Sequence, residues 1–318
     1  MLAFVGTIEY RRGKAQPAVV CMLQRAAANE GDVWTRSVDA VGRYYERVLE
    51  RKAVQNESAP PAALLDGLIG GVYPEKVKLI GQRTGELHLA LASCPDDFAF
   101  RPEPFNAMAQ RSVYQTMRTT LRRTFTLLEK KLPDLSRAFR DEAKEVLAAE
   151  QEILAREKRL LDRRTNAAKI RIHGDYHLGQ LLYTGKDFVI LDFEGEPARP
   201  LSDRKLKRSA LRDVASMMRS FQYAAYSALW QPAMRKEDVP FLERWADLWY
   251  RQMSSVFLQS YLSTTRSAIF IPENEDLQIM LEAYLLDKAV YEIGYELNHR
   301  PSWVVIPIRG VKHILQAA

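Results

Sequence analysis

The period of hydrophobic and polar positions changes along the chain and predicts a strand pair, a helical block, a small hairpin and a second helical block. Residues 4–10 and 18–23 are rich in β-branched and aromatic side chains, with a polar turn at 11–16 between them, which predicts two strands. From Val33 to about Lys52, apolar residues recur at helical spacing. Asp32 precedes them and is a candidate N-cap.

Helical spacing dominates the rest of the sequence. We predict helices at 62–69, 75–93, 104–131, 133–163, 209–227, 238–262 and 275–298, with Pro301 and Pro307 breaking the chain before a short last helix. The two long charged segments, 104–131 and 133–163, predict an antiparallel helical pair without chemistry. Short β-type runs at 170–172, 181–183 and 188–191, the last two joined by a turn at 184–187, predict one small hairpin.

Composition indicates a folded globular chain. The sequence has 318 residues, of which 47% are hydrophobic and 27% charged, a balance typical of proteins with a core. The net charge is +6, and the densest basic run, 199–212, has no interleaved aromatic residues. We therefore expect no nucleic-acid partner. Cys21 and Cys94 form no CxxC pair, and we expect reduced, buried thiols.

Targeting features are not found in the sequence. The apolar run at the start is too short for a signal peptide, and no stretch approaches the roughly 20 apolar residues that cross a bilayer. We expect a cytoplasmic protein with no membrane partner.

Candidate chemistry is concentrated in residues 172–200, IHGDYHLGQLLYTGKDFVILDFEGEPARP. If the hairpin turns near Lys186, Gln180 and Asp192 lie six residues from the turn on either side. Cross-strand Cβ atoms are about 4.5–5.5 Å apart, so both side chains should share one end of the hairpin with Asp175. An amide oxygen and a carboxylate suit magnesium, and Asp175 is positioned to accept a proton from an attacking hydroxyl.

The strings HGDYHLGQ and LDFE resemble the catalytic and metal-binding loops of aminoglycoside phosphotransferase-like kinases. The resemblance implies a protein-kinase-like α+β fold, with a mostly helical large lobe, an active-site hairpin and a remnant of the N-terminal sheet. It assigns the base to Asp175 and the metal ligands to Gln180 and Asp192.

The longer strings DFEGEPARPLSDR, LRDVASMMRSF, NEGDVW, RTGELHLAL and YEIGYELNHRPSWVVIP resemble maltokinases over essentially the whole chain. That resemblance implies ATP and Mg²⁺ as cofactors and transfer of the γ-phosphoryl group to maltose, giving maltose 1-phosphate. It also implies trehalose synthase as a fused or associated partner.

The sequence leaves two interpretations open for each of several other polar residues. His173 either acts directly in catalysis or holds the loop, and His177 either contacts phosphate or anchors the loop. Arg212 and Asp213 either brace the catalytic loop or only open a helix. Glu194 and Glu196 either accept sugar hydroxyls or pair with arginines. Further candidates for the acceptor site are Tyr291, Glu292, Asn298 and Arg300.

The resemblance further implies a small N-terminal lobe with a phosphate-covering loop and a strand lysine, and neither pattern is found in this sequence. We expect residues 1–30 to be a remnant of that lobe, with Gln24, Arg25 and Ala26 in a hinge facing adenine, and residues 31–318 to form the helical lobe. The alternatives are an incomplete kinase-like module that binds sugar or a partner, a kinase of glucose or an aminoglycoside, and a metal-dependent hydrolase using His173, Asp175 and His177.

Overall fold

The computed structural model describes residues 3–13, 17–51, 62–197 and 199–316. Within these ranges the helices are α1 (Val33–Arg51), α2 (Ala62–Ile69), α3 (Val72–Leu91), α4 (Ala107–Lys131), α5 (Arg137–Ala148), α6 (Glu150–Lys158), α7 (Leu201–Arg204), α8 (Leu211–Leu229), α9 (Val239–Thr264), α10 (Asn274–His299) and α11 (Val305–Gln316). Short 3₁₀ turns occupy Leu132–Asp134, Arg159–Leu161, Leu178–Gln180 and Pro301–Trp303. Asp32 accepts a hydrogen bond from the Thr35 N–H at 2.7 Å and caps α1, as predicted.

None of the described helices combines the length and apolarity that crossing a bilayer requires.

The described strands form three separate antiparallel pairs. They are β1 (Phe4–Tyr10) with β2 (Ala18–Gln24), β3 (Glu103–Pro104) with β4 (Ala168–Lys169), and β5 (Leu181–Tyr183) with β6 (Phe188–Ile190). The first and third pairs were predicted. The second was not, because Pro104 belongs to a strand and not to the helix predicted from it, and β4 precedes the predicted run at 170–172.

The core is built around α8, which is buried along almost its whole length and packs against α1, α9 and α10. Its sequence mixes small residues such as Ala215 and Ala224 with large ones such as Phe221, and neighbouring helices pack against it on several sides. The β5–β6 hairpin and the loop before it lie against α1 and α8. The buried helices α1 and α8 therefore support this hairpin and its loop.

Three sequence predictions about the fold are wrong in detail. The helix predicted over 133–163 is divided into α5 and α6 at Ala149, although α4 packs against this segment, as predicted, as well as against α10. Pro307 lies in the first turn of α11, where a missing N–H leaves no helical bond unmade. Cys21 and Cys94 are free, as expected, but both are exposed and not buried.

A buried acid on α6 leads to a stability prediction. Glu157 is 0% exposed, and no donor among the described residues reaches either carboxylate oxygen. Burial, together with nearby Asp287, raises its pKa from 4.5 to about 9. The folded protein thus retains a proton that the unfolded chain releases above pH 4.5, so Glu157 makes stability fall as the pH rises from there to about 9.

Replacing Glu157 with glutamine is expected to stabilise the protein at neutral pH, by on the order of 2–3 kcal/mol at pH 7, and to have little effect at pH 5. Urea unfolding at pH 5, 7 and 8.5 measures the difference. Glu152→Gln, at an exposed position of the same helix that pairs with Arg156, should change stability by less than about 1 kcal/mol. The same gain from Glu157→Gln at pH 5 and pH 8.5 would contradict the prediction.

Candidate active site

The loop between β4 and β5 is fixed to α8 through one buried carboxylate. Asp213 is 1% exposed and accepts hydrogen bonds from the backbone N–H groups of His173 at 2.8 Å and Gly174 at 3.0 Å. His88 contacts the same carboxylate through Nε2 at 3.1 Å. Burial alone would raise the pKa of Asp213, but the bond from His88 and the nearby His173 and Gly174 hold it below its usual value. This geometry matches the bracing alternative for Asp213.

His173 joins the loop to the hairpin. It is 1% exposed, its Nε2 lies 2.7 Å from the Leu191 carbonyl oxygen, and its ring packs against Tyr176 and Phe193. It is not among the residues that line the cavity described below. These contacts favour the interpretation in which His173 holds the loop.

Gln180 and Asp192 meet at the open end of the hairpin. Gln180 Nε2 donates to Asp192 Oδ2 at 2.9 Å. The register pairs Leu181 with Ile190, so Gln180 lies opposite Leu191, whose N–H donates to the Gln180 carbonyl oxygen at 2.9 Å. The equal-distance pairing of Gln180 with Asp192 is thus wrong by one residue, although the two side chains converge.

Asp192 has an unusual backbone conformation at the position where its side chain contacts Gln180. Its φ is 60°, and among the described residues it is the only non-glycine with a positive φ. This conformation costs roughly 1–2 kcal/mol for most side chains, although aspartate tolerates it better. Such a conformation is often retained where a side chain must be aimed at a functional site.

A cavity of about 570 Å³ opens beside Asp175 and His177, within the range of roughly 300–1,000 Å³ that is usual for small-molecule sites. His177 Nδ1 accepts from the Gly179 N–H at 3.1 Å, which leaves its Nε2 as a donor in the neutral ring. Burial lowers the pKa of His177, against an opposing effect of Asp175. His177 is therefore a neutral imidazole at neutral pH.

The acidic residues in the cavity wall other than Asp175 are each paired with a base. Glu196 lies 2.7 Å from Arg199 and 3.6 Å from Lys288. Burial alone would raise its pKa, but Lys288 and Arg199 lower it to about 2. The Glu196 carboxylate is therefore charged but neutralised by these bases at neutral pH.

Two more carboxylates in the wall belong to α10. Glu292 lies 2.8 Å from the buried guanidinium of Arg219, and a side chain at Gly310 would overlap that guanidinium. Glu296 lies 2.7 Å from Arg300, and burial raises its pKa. These pairings leave Asp175 as the acid in the described wall without a basic partner.

Aromatic rings form the far side of the cavity. Trp303 stacks on Tyr223, with ring centroids 6.3 Å apart, and the guanidinium of Arg300 lies 4.4 Å above Trp303. Tyr295 and His299 stack at 4.3 Å on the exposed edge of α10. Flat apolar faces with polar groups between them suit a ring that bears hydroxyl groups.

The structure separates the predicted site residues into two groups. Asp175, His177, Tyr291, Glu292 and Arg300 line the cavity. The other predictions lie elsewhere: Asn298 faces a second cavity on the opposite side of α10, Glu194 is exposed and lines neither cavity, and Gln24, Arg25 and Ala26 also line neither. Asn298 lies outside the first cavity because it is two residues from Glu296, and a separation of two places side chains on different faces of a helix.

Sequence reasoning missed several wall residues. They are Trp34, Ser220, Tyr223, Lys288, Glu296 and Trp303. One pattern could have found some of them, because Lys288, Glu292, Glu296 and Arg300 recur every four residues and form one polar stripe. The described residues contain no cluster of three metal-binding side chains, and the His173 ring is engaged by Leu191. Neither observation supports the hydrolase alternative.

Comparisons with known proteins relate the chain to phosphotransferases. Residues 46–196 match the phosphotransferase enzyme family APH. Glucosamine kinase of Mycolicibacterium smegmatis (strain ATCC 700084 / mc(2)155) is 22% identical over 314 residues, which are 98% of this chain and 66% of that protein. Glucosamine kinase of Streptacidiphilus jiangxiensis is 28% identical over 149 residues, which are 46% of this chain and 32% of that protein.

One solved structure, a glucosamine kinase in complex with glucosamine, ADP and inorganic phosphate, superposes with a TM-score of 0.74 at 21% identity, covering 100% of this chain and 68% of that chain. The chain thus spans about two thirds of the length of the Mycolicibacterium smegmatis relative. The chain has the aminoglycoside phosphotransferase-like kinase fold, and residues 46–196 within it match the phosphotransferase enzyme family.

Proposed function

We propose that the protein transfers the γ-phosphoryl group of ATP to a hydroxyl group of a neutral sugar, with maltose as the acceptor. The observation that carries this proposal is the position of Asp175. It lines a cavity of about 570 Å³, on the same short loop that presents Gln180 to Asp192. A proton acceptor for a sugar hydroxyl and a pair of oxygen ligands are the groups that phosphoryl transfer requires.

In this mechanism Asp175 orients the sugar hydroxyl and accepts its proton as the hydroxyl oxygen bonds to the γ-phosphorus, while the bond from that phosphorus to the β–γ bridging oxygen breaks and ADP leaves. His177, a neutral donor through Nε2, lies beside it and can hydrogen-bond to the sugar or a phosphate oxygen. The Asp192 carboxylate and the Gln180 amide oxygen, once its amide turns, are the groups that would hold Mg²⁺. The ion would neutralise phosphate charge when bound.

The charges in the cavity favour a neutral sugar over an amino sugar. An ammonium group is bound best by a carboxylate without a partner. In the described wall that carboxylate is Asp175, which this mechanism uses for the reacting hydroxyl, whereas Glu196, Glu292 and Glu296 are paired with bases. Lys288 also adds a positive charge to the wall. The matched kinases take their name from glucosamine, so the two acceptors are rivals that one experiment separates.

The test is phosphate transfer from ATP-Mg²⁺ by this chain to maltose, glucose, glucosamine and an aminoglycoside, followed by mass spectrometry of the products. We expect the neutral sugars to be phosphorylated with a kcat/KM at least about tenfold above that for glucosamine, since an unpaired buried charge costs more than 1.4 kcal/mol. Turnover should disappear with EDTA. Preferential use of glucosamine would contradict the neutral-acceptor assignment, and no phosphorylated product would contradict the kinase assignment.

A second candidate is a module that binds a sugar without phosphorylating it. The observation in its favour is the β1–β2 ribbon, whose apolar side chains Phe4, Ile8, Val20 and Leu23 are 59–63% exposed. Kinases of this fold use a strand lysine on the nucleotide phosphates, and neither strand of the described ribbon carries a lysine. Sugar binding by calorimetry together with no turnover on any acceptor would favour this module.

A further inference from the structure

A second cavity lies against the other side of the helix that borders the first. It has a volume of about 520 Å³ and is bounded by α4, α10 and the segment around Arg199 and Asp203. Tyr291, Tyr295 and His299 line both cavities. The wall between the two cavities is therefore one row of side chains from α10.

The spacing along α10 explains this arrangement. Residues 291, 295 and 299 recur every four positions and form the crest of the helix. Residues 288, 292, 296 and 300 form the stripe facing the first cavity, and residues 294 and 298 face the second. On the crest Tyr295 is 42% exposed and stacks on His299, so an aromatic surface joins the two cavities.

The wall of the second cavity offers hydrogen-bonding groups with little net charge. Arg199 and Asp203 pair with each other at 3.0 Å and cancel. Asn298 donates to the Gly294 carbonyl through Nδ2, which leaves its Oδ1 as an acceptor. Arg123 is exposed, and no ion pair is found for it among the described residues.

These groups suit a particular class of ligand. Thr120 and Thr124 add hydroxyl groups to the wall formed by α4. Sugar hydroxyls both donate and accept, so they match a wall that combines acceptors with donors, whereas a phosphate offers acceptors alone and a cation would be repelled by Arg123. The aromatic crest offers an additional stacking face to a sugar ring.

We propose that the second cavity is a carbohydrate subsite that binds further sugar units of an oligosaccharide whose reacting end occupies the first cavity. The chain of sugars would cross the crest at Tyr295 and reach Asn298 and Arg123. The proposal rests on the proposed function in one respect, the assignment of the first cavity to a neutral sugar. It extends the acceptor class to short linear α-glucans.

The experiment measures binding in the absence of ATP, by isothermal titration calorimetry with maltose, maltotriose and maltotetraose. In the unmodified chain we expect maltotetraose to bind about five- to tenfold more tightly than maltose, which corresponds to one or two additional hydrogen bonds. Arg123→Ala and Asn298→Ala should reduce this ratio towards one and leave maltose affinity unchanged. Arg122→Ala is the matched control, because Arg122 is the exposed neighbour that does not line the cavity.

The outcomes distinguish the subsite proposal from the kinase assignment. Equal affinities for maltose and maltotetraose in the unmodified chain, or a ratio that Arg123→Ala and Asn298→Ala both leave intact, would overturn the subsite. Phosphorylation of maltose in the acceptor assay would stand in either case. Conversely, maltotetraose binding that depends on Arg123 in a chain that phosphorylates no sugar would support the subsite and count against the kinase assignment alone.

Discussion

Replacing Asp175 with asparagine is expected to lower turnover about 10²–10⁴-fold, the usual contribution of a general base, while the affinities for ATP and sugar change no more than a few-fold. Asparagine has the shape of aspartate and can still hydrogen-bond to the sugar hydroxyl, but it cannot accept the proton. Asp175 lines the cavity, and no basic residue is found paired with it among the described residues. The change should therefore act on the chemical step and not on binding.

Steady-state kinetics with ATP-Mg²⁺ and maltose, together with calorimetric binding of each ligand, separate the two effects. Asp162→Asn is a matched control, because it makes the same change at an exposed carboxylate that lines neither cavity. It should retain the full rate. A rate of Asp175→Asn within tenfold of the unmodified chain would remove Asp175 from the role of base.

The loop and hairpin could be predicted from sequence because their information is local. The turn at 184–187 and the arms on either side are visible in the order of residues, and the Thr184 N–H does bond to the Asp187 carbonyl oxygen. The exact register was missed because the turn is centred between residues 185 and 186, so that Tyr183 pairs with Phe188; Asp192, in a left-handed conformation, still reaches Gln180. A pattern of residue types does not encode that backbone angle.

The cavity wall was harder to predict because it is assembled from distant segments. Trp34 at the start of α1 and Lys288 on α10 are separated by most of the chain, yet both line the first cavity. The sequence predicted the helical periodicity of α10 but not which of its faces would border each cavity. Asn298, an acceptor-site candidate in the sequence, borders the second cavity, and so does α4, which was interpreted as a solvated helix without chemistry.

Asp213→Asn is expected to reduce kcat by about 100-fold or more and to lower stability by roughly 3–5 kcal/mol. One carboxylate oxygen accepts from His173 N–H and contacts His88, and the other accepts from Gly174 N–H. Asparagine accepts hydrogen bonds through its amide oxygen only, so its NH₂ group must face one of these donors. That donor then loses its hydrogen bond in a buried site, which is costly. A displacement of the loop by about 1 Å then misplaces Asp175, which alone can cost about 10²-fold in rate.

A purely structural role would lower stability without changing kcat in the molecules that remain folded. Rates should therefore be measured well below the unfolding midpoint, with KM and kcat determined separately, and Asp213 acts by positioning only if kcat falls while KM for the sugar is retained. Asp247→Asn is the control, since Asp247 pairs with Tyr226 and His313 away from the loop and should affect stability alone.

Because the pKa of Asp213 is lowered on folding, its contribution to stability is present above the pKa of the unfolded chain and is lost as the pH falls through the pKa of the folded protein. The variant should accordingly lose less stability on acidification than the unmodified chain, and an unchanged acid dependence together with an unchanged kcat would remove Asp213 from the positioning role.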